Sequence, residues 1–343
     1  MQGLILLLSL GLLLALLLTI ALTARSLTRP IRRTYATALA RGRPGDPAEL
    51  RGVYHVSGTQ PLGIWPRPYD TWSFRAGAHS LPVWRVKGDK PSGPIAILTH
   101  GWGDSRIGAL SRLAYIAAHC KACILYDLPG HGDAPGSCTL GTHETRILTS
   151  LIAHARELDP NTPILLFGWS MGAGISIAAA VHDAASRDTA SRDTASTHTA
   201  PNRICAVIAE SPYRHAFTPA ANVLRLKGLP NSWTLRAALF LLGIEFGVGR
   251  SWRGFDRASL ASKLSCPLLI IHGVDDEVCP ISDGRDIANS AHNASLLTTF
   301  LEVPGGTHHG LWTDPSTLAT IIPALDIFMQ QVSTATLSSP SNP

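Results

Sequence analysis

The first 24 residues of this 343-residue chain contain no charged side chain, and no Lys/Arg-rich start precedes their leucine-dominated run. The run exceeds the apolar core of a signal peptide and no clear A-x-A cleavage pattern follows it, so the segment reads as an uncleaved anchor. Its length suffices to cross a hydrocarbon layer of about 30 Å as a helix. A disulfide or zinc framework is also lacking. Cys120, Cys123, Cys138, Cys205, Cys266 and Cys279 show no staple spacing, and several fall in or beside apolar strands, where cysteine acts as a small buried hydrophobe. The lone C-x-x-C at Cys120 to Cys123 has no second pair, which argues against zinc and redox chemistry. Nor does the body of the chain carry surplus positive charge. Residues 1–60 hold seven arginines against Asp46 and Glu49, a net of +5 that equals the charge of the whole chain. The sequence pI near 9.0 therefore reflects a basic collar beside the anchor and not a nucleic-acid-binding surface. By the positive-inside rule that collar places a single-pass protein in the cell membrane with its body on the cytoplasmic side.

The chain does contain Pro163-Ile164-Leu165-Leu166-Phe167-Gly168-Trp169-Ser170-Met171-Gly172-Ala173-Gly174, one serine between two glycines where an apolar strand gives way to a small-residue helix. This is the layout of a nucleophile elbow: the turn is strained, and strand and helix must approach too closely for bulky neighbours. A serine hydroxyl needs a base to take its proton and an acid to orient that base. Downstream, Cys266 to Val278 reads as a buried strand that breaks at Gly273 and delivers Asp275 and Asp276 to a loop. The run Thr299 to Gly310 repeats the pattern with His308 and His309. The order Ser, Asp, His is that of an α/β-hydrolase and not of the chymotrypsin or subtilisin arrangements.

Two further motifs precede the elbow: Thr99-His100-Gly101-Trp102-Gly103-Asp104-Ser105, and Tyr126-Asp127-Leu128-Pro129-Gly130-His131-Gly132, the latter of D-x-x-G-H-G type. With these four motifs in order from about Trp72 to Met329, the chain resembles the α/β-hydrolase superfamily, nearest to membrane-anchored bacterial esterase- or peptidase-like members. The resemblance implies an α/β fold with a mostly parallel central sheet, helices on both faces, and a short helical lid between the sixth and seventh strands. It implies Ser170 as nucleophile, His308 as base, Asp276 as acid, and the backbone N–H groups of Trp102 and Met171 as the oxyanion hole. Asp276 is preferred over Asp275 as the third residue after the glycine, and His308 over His309 by the P-G-x-x-H spacing. Cys279 stands where the family has an aliphatic residue before Pro280, a departure expected to affect packing more than charge. The mechanism requires no metal or organic cofactor.

Other polar residues take structural readings. Asp127 and Glu210 follow apolar strands and are expected to cap turns or helix starts. His100 and His131 are expected to hold loop conformations, and His272 to be a satisfied histidine at the core edge.

Expected strands run Pro82 to Val86, Pro94 to Thr99, Ala122 to Tyr126, Pro163 to Phe167, Ile204 to Ala209, Pro267 to Ile271 and Thr299 to Val303, with helical stretches between them. The domain plan is an anchor at 1–24, a basic and Pro/Gly-rich tether at 25–68, a catalytic domain at 69–332 and a flexible tail at 333–343. Within the domain, the tandem A-S-R-D-T repeat places a disordered insert at 185–200, and the lid spans 213–263. Trp233, Leu235, Leu239, Phe240, Leu241, Leu242, Ile244 and Phe246 of the lid either line an acyl pocket or pack on their own domain. The functional expectation is a serine hydrolase of a carboxylic ester or related acyl bond, with a small or lipid-like acyl substrate and the membrane as partners and no nucleic acid. Oligomeric state is not legible. The alternatives are an aminopeptidase-like amide hydrolase, which an acidic patch for the substrate amine would favour, and a noncatalytic binding protein of the same fold.

Overall fold

Valine-, isoleucine- and leucine-rich runs of five to seven residues, buried on every position, make the middle of a single eight-stranded sheet in the computed structural model, which describes residues 1–50, 66–194, 203–228, 233–292 and 297–337. The elements in chain order are α1 (Gln2–Thr28), α2 (Tyr35–Leu39), β1 (Tyr69–Ala76), β2 (His79–Lys87), β3 (Ile95–Thr99), α3 (Leu110–Ala117), β4 (Ala122–Tyr126) and α4 (Glu144–Leu158). There follow β5 (Ile164–Trp169), α5 (Met171–Thr194), β6 (Ile204–Glu210), α6 (Phe217–Leu226), α7 (Trp233–Glu245), α8 (Arg257–Ala261), β7 (Leu268–Gly273), α9 (Ile281–His292), β8 (Thr298–Val303) and α10 (Pro315–Leu337).

The strand order is β1-β2-β4-β3-β5-β6-β7-β8, with β3 to β8 parallel and β2 antiparallel to both β1 and β4. Alternate residues feed opposite faces. Ile95, Ile97 and Ile124 enter a core shared with α4, α5, α8 and α9, while Ala96, Leu98 and Leu125 enter one shared with α3 and α10. Each fully buried aliphatic side chain contributes about 1.5–3 kcal/mol relative to exposure.

β1 adds a strand to the seven expected ones. Its sequence mixes Asp70, Ser73 and Arg75 with Trp72 and Phe74, and it is buried only at Phe74 and Ala76, because an edge strand need bury little. It joins β2 through Gly77 and Ala78, where Gly77 takes φ +58°, and the hairpin starts β2 at His79, three residues before the expected Pro82.

The lid connection between β6 and β7 is helical, as expected, and α7 coincides with the expected helix to within one residue. Residues 25–50, expected as tether, are docked on the domain. Leu27 joins one core and Ala38 and Leu50 the other, the Asp46 side chain caps a short turn by accepting from Ala48 and Glu49 N–H, and Arg33 pairs with Asp104 at 2.8 Å. Apolar residues scattered through a polar, proline-containing stretch gave no periodic signal of this burial. Residues 51–65 of the expected tether lie outside the described residues. The first part of the expected insert continues α5 to Thr194, since extending an existing helix costs far less than starting one; residues 195–202 lie outside the described residues. α10 likewise runs through 333–337 of the expected tail, with 338–343 outside them.

Candidate active site

The elbow is forced by close approach. A Cβ on Gly168 would lie 2.2 Å from the Gly172 carbonyl oxygen, and one on Gly172 would lie 2.0 Å from the Thr99 carbonyl oxygen. Only glycine permits β5, α5 and β3 to meet there. Between them Ser170 adopts φ +53°, a left-handed conformation that non-glycine residues adopt at a cost, and its N–H donates to the Glu210 carbonyl at 2.8 Å. α5 begins at the next residue, so the positive end of its dipole faces the cavity beside the hydroxyl.

Asp276 and His308 meet across two loops that touch at Gly273, where a Cβ would lie 2.2 Å from the Gly306 carbonyl oxygen. Asp276 Oδ1 accepts from the N–H groups of Val278 and Cys279 at 2.9 and 2.7 Å, and Oδ2 lies 2.9 Å from His308 Nδ1. Burial opposes ionisation of Asp276, but its bonds to His308 and to the Cys279 N–H outweigh that and hold its pKa below the ordinary value. Burial equally opposes a charge on His308, yet the Asp276 carboxylate facing it carries its pKa above that of a free imidazole. Asp275 is exposed on the same loop. His309 is exposed at the cavity rim, its ring 4.9 Å from that of His308.

Cys279 departs from the sequence expectation. Its sulfur lies within 4.8 Å of a His308 ring nitrogen and an Asp276 carboxylate oxygen, and among the described residues no direct Ser170–His308 bond is formed. Burial pushes the thiol pKa up, leaving it neutral near neutral pH. The position thus bears on the site's polar network as well as on packing; only the β7-to-β8 loop contact revealed it, since the residue is apolar by sequence position.

Gly101 brings the oxyanion loop against the elbow: a Cβ there would lie 3.1 Å from Ser170 Cβ. The N–H groups of Trp102 and Met171 donate to no backbone carbonyl among the described residues, and both residues line the cavity. His100 braces this loop. Its Nε2 accepts from the Leu128 N–H at 2.9 Å, so Nδ1 carries the proton and donates to the Gly101 carbonyl at 2.8 Å. Burial lowers its pKa to about 4, and that of the neighbouring His131 to about 3, so both stay neutral as loop supports. His272 is only half satisfied: Nε2 bonds the Cys279 carbonyl at 2.9 Å and Nδ1 is buried without a partner.

Asp127 caps its turn as expected, accepting from the N–H groups of Arg106 and Asp133 at 2.7 and 2.9 Å and pairing with the Arg106 guanidinium. Burial lifts its pKa to about 6 against those contacts. Glu210 does more than cap. It is buried in an ion pair with Arg112 of α3 (Nε to Oε2 2.7 Å) and accepts from Trp312 Nε1 at 2.8 Å, while the Arg112 guanidinium lies 4.3 Å from the Trp169 ring centre. Arg112 and Trp312 were not legible as supports of the elbow, because nothing local marks residues that meet only after α3, β6 and the segment before α10 have packed.

The cavity over Ser170 holds about 510 Å³. Ser170, Met171, His308 and His309 form one side. The other is made by Pro219, Ala220, Val223 and Leu224 of α6 and by Leu27, Arg29, Pro30, Ile31 and Arg33 at the end of α1. Trp102 Nε1 donates to the Leu27 carbonyl at 2.8 Å, joining the anchor to the oxyanion loop. None of the eight α7 residues singled out for an acyl pocket lines this cavity; Leu235, Leu239, Leu242 and Phe246 are buried in the domain core and α7 packs along α1. Among the described residues no aspartate or glutamate lines the cavity, whereas Arg29, Arg33 and Lys227 do.

Residues 96–321 match the α/β hydrolase family. The chain is 28% identical over 246 residues to pimeloyl-[acyl-carrier protein] methyl ester esterase of Chromobacterium violaceum, covering 63% of this chain and 87% of that protein. It is 24% identical over 262 residues to lysophosphatidylserine lipase ABHD12 of Danio rerio, covering 72% of this chain but 56% of that relative. Among solved structures, an esterase of Pyrococcus furiosus superposes with a TM-score of 0.55 at 18% identity over 78% of this chain and 96% of that one. The acylaminoacyl peptidase of Pyrococcus horikoshii does so at 0.56 and 14% identity, over 77% and 41%. Fold, strand order and the matched span agree: this chain is a member of the α/β hydrolase family.

Proposed function

We propose that the protein is a membrane-anchored serine hydrolase that cleaves the carboxylic ester of an acyl amphiphile. The observation that carries this reading is the Asp276–His308 pair placed beside a strained, glycine-flanked Ser170 in one cavity. His308 takes the Ser170 proton as the oxygen attacks the ester carbonyl, and the N–H groups of Trp102 and Met171 receive the oxyanion. Such a donor is worth about 2.7–4 kcal/mol of barrier. Asp276 holds the imidazole in the required tautomer and supports its positive charge. Collapse expels the alcohol, which takes the proton from His308, and water activated by the same base then releases the acid and restores Ser170.

The substrate class follows from the cavity walls. Leu27, Ile31, Val223 and Leu224 offer an apolar surface for an acyl chain, and Arg29, Arg33 and Lys227 supply positive charge for an anionic or polar head. The similarity to a lysophosphatidylserine lipase and to a methyl ester esterase supports an ester in this role. An aminopeptidase would need acidic groups for the substrate amine, and the cavity lining has none among the described residues. Membrane attachment is supported by α1, 27 residues long with an 18-residue window of mean hydropathy 2.9 and Leu4 to Leu8 more than half exposed. The basic collar supports a cytoplasmic hydrolase domain.

The test is covalent labelling of the full-length protein with a fluorophosphonate, followed by turnover of esters of graded acyl length. Labelling lost in Ser170→Ala with the fold retained supports the nucleophile; a folded mutant that labels like wild type removes it.

A further inference from the structure

Asp276, Cys279 and His308 each offer one ligand atom, and the three atoms lie within 4.8 Å of one another. All three side chains are shielded from solvent, and they come from two loops held together at the Gly273–Gly306 contact. One carboxylate oxygen, one sulfur and one imidazole nitrogen form a borderline-soft set suited to zinc, which binds such donors at about 2.0–2.3 Å in a tetrahedron. Donors of a tetrahedral zinc stand roughly 3–4 Å apart by those bond lengths. From a spacing of up to 4.8 Å, binding therefore calls for a contraction of roughly 1–2 Å between the most distant donors. A magnesium or calcium ion, which prefers six or more oxygen ligands, finds only one carboxylate here.

We propose that Asp276, Cys279 and His308 form an inhibitory zinc site that competes with catalysis. Binding displaces the thiol proton and takes up the Asp276 oxygen and the His308 imidazole, the groups that orient and supply the base. Ser170 is left without a proton acceptor. The device depends on this chain's own sulfur at a position where an aliphatic side chain would leave two ligands only. The inhibition rests on the serine hydrolase reading; the binding does not.

Full-length protein in detergent is titrated with Zn²⁺, measuring bound metal by equilibrium dialysis and, in parallel, ester turnover and fluorophosphonate labelling. The expected result is one zinc bound per chain, loss of both activities in proportion, recovery on adding EDTA, and no such effect from Mg²⁺. Cys279→Val should weaken zinc binding and raise the half-inhibitory concentration at least tenfold, each variant referred to its own metal-free rate. Co²⁺ on the wild-type chain should give a thiolate-to-cobalt charge-transfer band, which decides the matter if the variant does not fold. No bound zinc, a cobalt complex without that band, or equal inhibition of Cys279→Val overturns the proposal. Zinc bound by a protein that neither labels nor turns over esters even when metal-free would leave the site standing and remove the hydrolase reading instead.

Discussion

On the sheet side of the cavity, Ser170, Asp276 and His308 stand on short turns after β5, β7 and β8, and the backbones behind them approach within distances that only glycine allows. On the opposite side, the wall is the end of α1 with α6, joined to the oxyanion side by a few directed contacts: Trp102 to Leu27, Cys138 N–H to the Thr28 carbonyl at 2.8 Å, and Arg33 to Asp104. The first side leaves its reacting groups almost no freedom, as acyl transfer demands. The second side is set by packing between segments distant in the chain, and through Trp102 it touches the first.

The largest expected effect is on the sheet side. His308→Ala should lower ester turnover by about 10⁵–10⁶-fold, as removal of a triad base does, while His309→Ala at the rim should cost less than about tenfold. Equal losses would detach the base from the rigid side. Asp276→Asn should cost about 10⁴-fold through the wrong imidazole tautomer, and Asp275→Asn only severalfold; the reverse ranking transfers the acid. The same pair sets a pH signature. Because His308 is a base only when neutral and its pKa is raised, turnover should climb with pH along a limb lying above the free-imidazole value of about 6.5. Asp276→Asn should move that limb to lower pH, which a pH–rate profile reads directly.

Behind the elbow, Arg112→Met leaves Glu210 buried without its cation and should destabilise the fold by about 3–5 kcal/mol in denaturant unfolding. A loss below about 1 kcal/mol would mean that the support is not tight. The smallest effect is expected on the anchor side. Trp102→Phe removes one neutral hydrogen bond to Leu27, worth about 0.5–1.5 kcal/mol, and should lower kcat for a soluble ester in detergent by roughly two- to tenfold with KM little changed. A loss as large as that of the triad variants would erase the distinction between the two sides. Finally, the full-length chain should sediment with membranes and resist high-salt extraction, and protease added to intact cells should spare the hydrolase domain. Digestion without permeabilisation would reverse the sidedness.

Much of the sheet side was legible in the sequence because its constraints are local. Gly168 and Gly172 flank the serine by adjacency, Asp276 follows its glycine at fixed spacing, and buried parallel strands announce themselves as apolar runs. β1 escaped notice because an edge strand carries little apolar signal, and Arg112 and Trp312 because their partner Glu210 lies about a hundred residues away in the chain. Cys279 reads as a packing substitution by sequence, and the loops after β7 and β8 set its sulfur beside His308 and Asp276.

By itself the sequence determined an apolar helix followed by a basic collar, a βαβ alternation, and the order Ser, Asp, His at strand ends, since each depends on residues adjacent in the chain or on a period of burial. Only the tertiary structure decided that the collar is docked, that α6 and the end of α1 wall the cavity while α7 packs elsewhere, and that the Cys279 thiol stands beside Asp276 and His308. Those outcomes depend on which surfaces meet once the sheet has formed. No local pattern encodes a contact whose partners are brought together by the packing of the rest.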